Sequence, residues 1–96
     1  MNAQPSFYVI AYDLRKPGQD YDRMEDKINE LEDQIKILET TWIVKTTQTA
    51  HEIYDLVEPA LDRNDRIFIA PINLATSWGY LNTEIATWIN ARINAV

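Results

Sequence analysis

Residues Ser6 to Leu14 read Ser-Phe-Tyr-Val-Ile-Ala-Tyr-Asp-Leu, a nearly unbroken apolar and aromatic run followed by Arg15-Lys16-Pro17-Gly18. Val, Ile and aromatic side chains suit a pleated surface, and Pro-Gly is a stop signal. The run therefore predicts a strand buried on both faces. Asp13 stands where this strand hands over to a loop, a good place for a metal ligand or catalytic carboxylate held by a rigid element. The same position also suits an acid that merely ends the strand and caps the turn through its side-chain oxygen. Both readings of Asp13 stay open at this level.

Beyond the turn, in which Asp20 can cap a helix, Tyr21, Met24, Ile28 and Leu31 recur at steps of three and four. Charged residues fill the intervening positions, so the spacing predicts an amphipathic helix from Tyr21 to Leu31 with an acidic outer face. Ile35 to Glu39 and Thr41 to Thr46 are rich in β-formers and read as two strands joined tightly near Thr40, or one bent strand. Trp42 inside the second run suits a packed core or interface residue, because a lone Trp there contributes mainly buried area. Thr49-Ala50-His51-Glu52 matches a capping box and opens a second helix through Ile53, Leu56, Val57, Ala60 and Leu61, which Pro59 should tighten or kink. His51, in the first turn and with no second His or Cys nearby, reads as solvent-facing.

Arg66 to Ile72 reads as a strand that Pro71 confines to an edge or strand end, since Pro cannot donate to the ladder. Asn73 to Tyr80 reads as a loop, and Thr83 to Ile93 as a last helix with Ile85, Trp88, Ile89 and Ile93 on one face. Two tryptophans in this tail, Trp78 and Trp88, argue that it packs against its own sheet or a partner.

A chain of 96 residues supports one core, so residues 1–96 form a single domain with a core over 6–72 and a tail over 73–96. A domain this small leaves much surface exposed, which makes association with a second copy a plausible way to cover it. The absence of cysteine excludes disulfides, thiolate metal sites and cysteine nucleophiles. No run approaches the ~18 apolar residues of a membrane span, and the start lacks the pattern of a signal peptide. A soluble, cytoplasmic protein with no membrane partner is the expectation. A net charge of -6 opposes broad binding to a polyanion and suits a Mg²⁺-concentrating site or a surface for a basic partner.

The order strand, helix, strand, strand, helix, strand is that of an α+β, ferredoxin-like βαββαβ antiparallel sheet with two helices on one face, here with a C-terminal helix added. The first and third strands are central in that topology. With Tyr8-Val9-Ile10-Ala11-Tyr12-Asp13-Leu14, Glu39-Thr40-Thr41-Trp42-Ile43-Val44-Lys45 and Asp65-Arg66-Ile67-Phe68-Ile69 in this order, the first three quarters of the chain resemble the small CRISPR-associated Cas-two proteins and their VapD-like relatives. The resemblance implies a homodimer in which the two Asp13 carboxylates meet across the axis at a Mg²⁺ ion, in a Mg²⁺-dependent nuclease acting on RNA or DNA in a defence or mobile-element system. Some members of the family serve instead as structural partners of an integrase. Two such carboxylates could hold one Mg²⁺, lower the pKa of a bound water and offset charge on a phosphate.

In that reading Arg15 or Lys16 contacts the phosphate, with Arg15 near the chemistry, and Thr40 or Thr41 orients water or backbone. Two departures stand out: the first helix is acidic where the family is more basic, and Glu39 to Val44 replaces the family's polar stretch. The alternative is a non-catalytic dimer, an adaptor or inhibitor that binds another protein through its acidic helix or aromatic tail. Trp42, Trp78, Tyr80 and Trp88 are the candidates for the dimer or partner interface.

Overall fold

Four strands, β1 (Ser6–Asp13), β2 (Gln34–Leu38), β3 (Thr41–Thr46) and β4 (Arg66–Ile72), form one sheet in the order β2-β3-β1-β4, with every neighbouring pair antiparallel. The computed structural model describes residues 4–15 and 21–93. The expected Asp20 cap, the Pro17-Gly18 turn and Lys16 lie outside the described residues. The apolar runs Phe7 to Tyr12 and Trp42 to Val44 thus occupy the two central strands. The strand with Pro71 lies at an edge, where a missing N–H costs no ladder bond.

Helices α1 (Tyr21–Ile28) and α2 (Ala50–Val57) bury Met24, Ile28, Ile53 and Val57 in one cluster with Ile10, Tyr12, Trp42 and Val44. The register pairs Ile10 with Trp42 and Tyr8 with Val44, so these sheet residues share a face and both helices pack on it. The chain is an α+β domain with a four-stranded antiparallel sheet and, among the described residues, three α-helices. None of these helices is long and apolar enough to cross a membrane.

Local chemistry accounts for most boundaries. Thr49 and Glu52 complete the capping box of α2, with Glu52 N–H donating to Thr49 Oγ1 at 3.1 Å and Thr49 N–H to Glu52 Oε1 at 2.9 Å. Pro59 ends α2 in a 3₁₀ turn over Glu58–Ala60. The first helix stops at Ile28, three residues short of the Leu31 that its periodicity predicts. Tight turns there carry N–H bonds from Glu30 to Lys27 and from Leu31 to Ile28, and Leu31 is still buried. The two middle strands join through Glu39-Thr40 with an irregularity between Lys36 and Leu38, which lets the hairpin close without Gly or Asn.

The second sheet face corrects one expectation. Ile10 and Tyr12 are buried under the helices, but Phe7, Val9 and Ala11, pointing the other way, are only partly covered. Helix α3 (Thr83–Ile93) supplies that partial cover and forms a smaller second layer in which Ile43, Leu74 and Ile85 are buried. A bidentate ion pair anchors it: Arg92 Nε and Nη2 donate to the Asp33 carboxylate at 2.9 and 2.8 Å, while the guanidinium stacks on Trp88 with 3.7 Å to the ring centroid.

Candidate functional site

Asp13 ends β1 opposite Arg66 of β4. Alternation along β1 puts its side chain on the second face with Val9 and Ala11, and the register adds Thr41 and Phe68 to the same row as Ala11. The carboxylate is 66% exposed, and Arg15 Nη1 lies 3.4 Å from its Oδ2. The turn around it is built by Asp65, whose Oδ1 accepts from the Arg15 N–H at 2.9 Å and whose Oδ2 accepts from the Asp62 N–H at 2.8 Å. Arg66 turns its guanidinium back onto the carbonyls of Asn64 and Asp65. This end of the sheet therefore presents one exposed acid beside two exposed arginines, with Asp65 serving as the structural acid of the loop.

Asp65 and Arg66 acquire their place here only through strand pairing. In sequence they read only as the end of the turn cluster Asp62-Arg63-Asn64-Asp65 and the start of a strand. Thr40 sits close by, its carbonyl accepting from the Tyr12 N–H at 3.1 Å, which fixes the backbone immediately before Asp13.

Among the described residues, no three or more His, Cys, Asp or Glu side chains gather into a group that could hold a metal ion. Asp13 is one carboxylate facing a guanidinium, so a single copy does not fit a resident Mg²⁺ site, and a shared ion needs a second copy. His51 is 3.5 Å from Asp55 on the exposed surface of α2, remote in chemistry from Asp13.

The interface candidates separate into two kinds. Trp42 is 5% exposed and donates its indole N–H to the Tyr12 hydroxyl at 3.2 Å, so it is a core residue and offers no surface to a partner. Burial raises the Tyr12 phenol above its ordinary range, an effect the Trp42 hydrogen bond partly opposes. Trp88 is half-buried beneath Arg92 and acts in anchoring the helix. Trp78 and Tyr80, in contrast, are fully exposed at 100% and 102%. They stand at the rim of an apolar groove of about 490 Å³ between the second sheet face and the tail. Comparison with family models, with curated proteins and with solved structures finds no match to this chain.

Proposed function

We propose that the chain is a ferredoxin-like, Cas-two-like protein that works as a homodimer on RNA or DNA, as a Mg²⁺-dependent endonuclease of a defence or mobile-element system. The observation that carries this reading is the placement of Asp13: an exposed carboxylate at the exit of a central strand, on the sheet face that α1 and α2 leave uncovered. Two copies packed through that face could bring their Asp13 side chains together, and a Mg²⁺ ion enters the reading only as one shared between them. Arg15 and Arg66 flank the carboxylate and suit a phosphate, because a guanidinium presents a fork of donors to anionic oxygens.

The strand order supports the fold part of the proposal, with β1 and β3 central and both N-terminal helices on one face. The test is cleavage of single-stranded RNA and double-stranded DNA with Mg²⁺ or Mn²⁺, comparing wild type with Asp13→Asn. Cleavage by wild type that the variant loses supports the reading. Cleavage unchanged in the variant, or absent from both, removes it.

A second reading, a non-catalytic adaptor or inhibitor, is favoured by a different observation: Trp78 and Tyr80 are wholly exposed, and aromatic side chains of this kind anchor protein interfaces. The acidic outer positions Asp22, Asp26, Glu30 and Glu32 of the first helix and its following turn would suit a basic partner. Capture of one partner at fixed stoichiometry from the native host, lost on Trp78→Ala, together with no cleavage activity, would select this reading over the first.

A further inference from the structure

Strand β4 is an edge strand, and the register shows what its free side offers. The Tyr12 N–H bonds the Thr40 carbonyl, so Tyr12, Ile10 and Tyr8 direct their backbone groups to β3, while Asp13, Ala11 and Val9 direct theirs to β4. Arg66, Phe68 and Ala70 answer those three, which leaves Ile67, Ile69 and Pro71 with backbone turned outward. Pro71 fits that place, having no N–H to present. Within β4 the free side therefore offers an N–H together with a C=O at Ile67 and Ile69 alone.

Beside these two residues lies a shallow pocket of about 250 Å³, lined by Ala50, His51 and Tyr54 of α2 and by Ile67, Phe68 and Ile69 of β4. His51, Tyr54 and Phe68 bring three flat rings to it. The capping box fixes the first turn of α2, and His51 and Tyr54, three residues apart, are neighbours on that helix. Phe68 is 67% exposed, more than any other large apolar side chain of the sheet among the described residues. Arg66 stands on the same side of the strand two residues earlier, about 7 Å away at the usual strand rise.

We propose that this pocket seats one nucleobase of a single strand, stacked on the Phe68, Tyr54 and His51 rings, with its polar edge bonded to the backbone of Ile67 or Ile69 and its phosphate turned toward Arg66. The proposal deepens the function above by naming single-stranded nucleic acid as the substrate class. It rests on the nucleic-acid part of that reading and on neither the dimer nor the chemistry of Asp13.

Size and chemistry select this occupant. The pocket is smaller than the ~300–1000 Å³ of a drug-sized ligand site, so it has room for a single planar ring system. Phe, Tyr and His rings are the surfaces on which unpaired bases stack, and a base inside a duplex has both faces already covered. A peptide added as a further strand would need a longer row of donors and acceptors than the two residues Pro71 leaves. Stacking also draws little on charge, which suits a chain of net charge -6. Asp55, 3.5 Å from His51, is not among the residues that line the pocket.

The test is fluorescence anisotropy of short labelled RNA and DNA strands and of the matching duplex, with EDTA present so that nothing is cut. Wild type is compared with Phe68→Ala, Phe68→Leu and Tyr54→Ala, each checked for fold by circular dichroism and for mass by light scattering. Single strands should bind more tightly than the duplex, and Phe68→Ala should weaken them roughly 5- to 150-fold, the loss that follows removal of one stacked ring. Phe68→Leu, which keeps apolar bulk without a ring, should lose nearly as much, and the mass of every variant should stay that of wild type. Strand binding unchanged in Phe68→Ala or fully kept in Phe68→Leu overturns the pocket while the nucleic-acid reading stands, as does a Phe68 variant of altered mass, which would place the ring in a protein interface. Displacement of the strand by an equal concentration of AMP would also overturn it, assigning the pocket to a free nucleotide. A wild type that binds neither strands nor duplex overturns this inference and the nucleic-acid reading together.

Discussion

Trp42 donates its indole N–H to the hydroxyl of Tyr12 at 3.2 Å inside the helix-facing core, one residue before Asp13 on the same strand. Adjacent strand residues face opposite sides, so the bond that locks Tyr12 inward also fixes the end of β1 with Asp13 directed outward. Tyr12→Phe keeps the ring and removes the acceptor, leaving a buried indole N–H without a partner. The expected loss is about 1–3 kcal/mol in urea unfolding, the usual cost of stranding a buried polar group. A change below a few tenths would mean that the bond does not hold this strand end.

The alkaline limb of stability follows from two groups whose folded pKa values lie above their ordinary ones. Tyr12 is raised chiefly by burial, and Lys36 chiefly by its 2.7 Å hydrogen bond to Glu25. A raised folded pKa means that the native state holds its proton more tightly than the unfolded chain. These contributions are therefore complete below the unfolded values near pH 10 and disappear as pH rises through the folded ones. Unfolding midpoints should fall with pH above about 10, and Tyr12→Phe should flatten that fall. Because Lys36 is partly exposed, Glu25→Gln should flatten it less. An alkaline limb identical in Tyr12→Phe would contradict the assignment.

The Asp33–Arg92 pair joins the start of β2 to the last turn of α3 and is partly buried on both sides. A double-mutant cycle with Asp33→Asn and Arg92→Lys should give a coupling of about 1 kcal/mol, the upper end for pairs near the surface, since Lys cannot reproduce the fork. Amide exchange over α3 should speed up in either single variant, with little change in β1 or β3. Equal acceleration across the whole sheet would show that the pair supports global stability and not the seating of this helix.

Asp13→Asn should leave stability within about 0.5 kcal/mol of wild type, because the carboxylate is exposed and its contact with Arg15 at 3.4 Å is a surface pair. Any loss of nucleic-acid cleavage in this variant then reflects chemistry. A large destabilisation would return Asp13 to the role of strand terminator.

The elements that could be read from the chain were those with their own local signals. Thr49-Ala50-His51-Glu52 carries its cap within four residues, and the apolar runs of β1 and β3 mark central strands because only such strands need apolar side chains on both sides. Leu31 misled the helix boundary because a tight turn can deliver a side chain to the core as well as a further helical turn can. At the candidate site, Asp13 was visible as an acid at a strand exit. Its neighbours Asp65 and Arg66 were not, since they arrive through a pairing some fifty residues away along the chain. Trp42 and Trp78 look alike in sequence, yet one closes the core and the other meets solvent. Burial depends on which sheet face a residue joins and on what covers it, and neither is encoded locally.

The central claim is that Asp13 acts as one of a pair, and the distance between the two Asp13 carboxylates in a crystal structure of the dimer grown with Mg²⁺ tests it most directly. The account predicts a separation of roughly 4–6 Å with one cation between them, as ordinary Mg–O distances require. A dimer that holds the two carboxylates more than about 10 Å apart cannot share an ion between them and would contradict it.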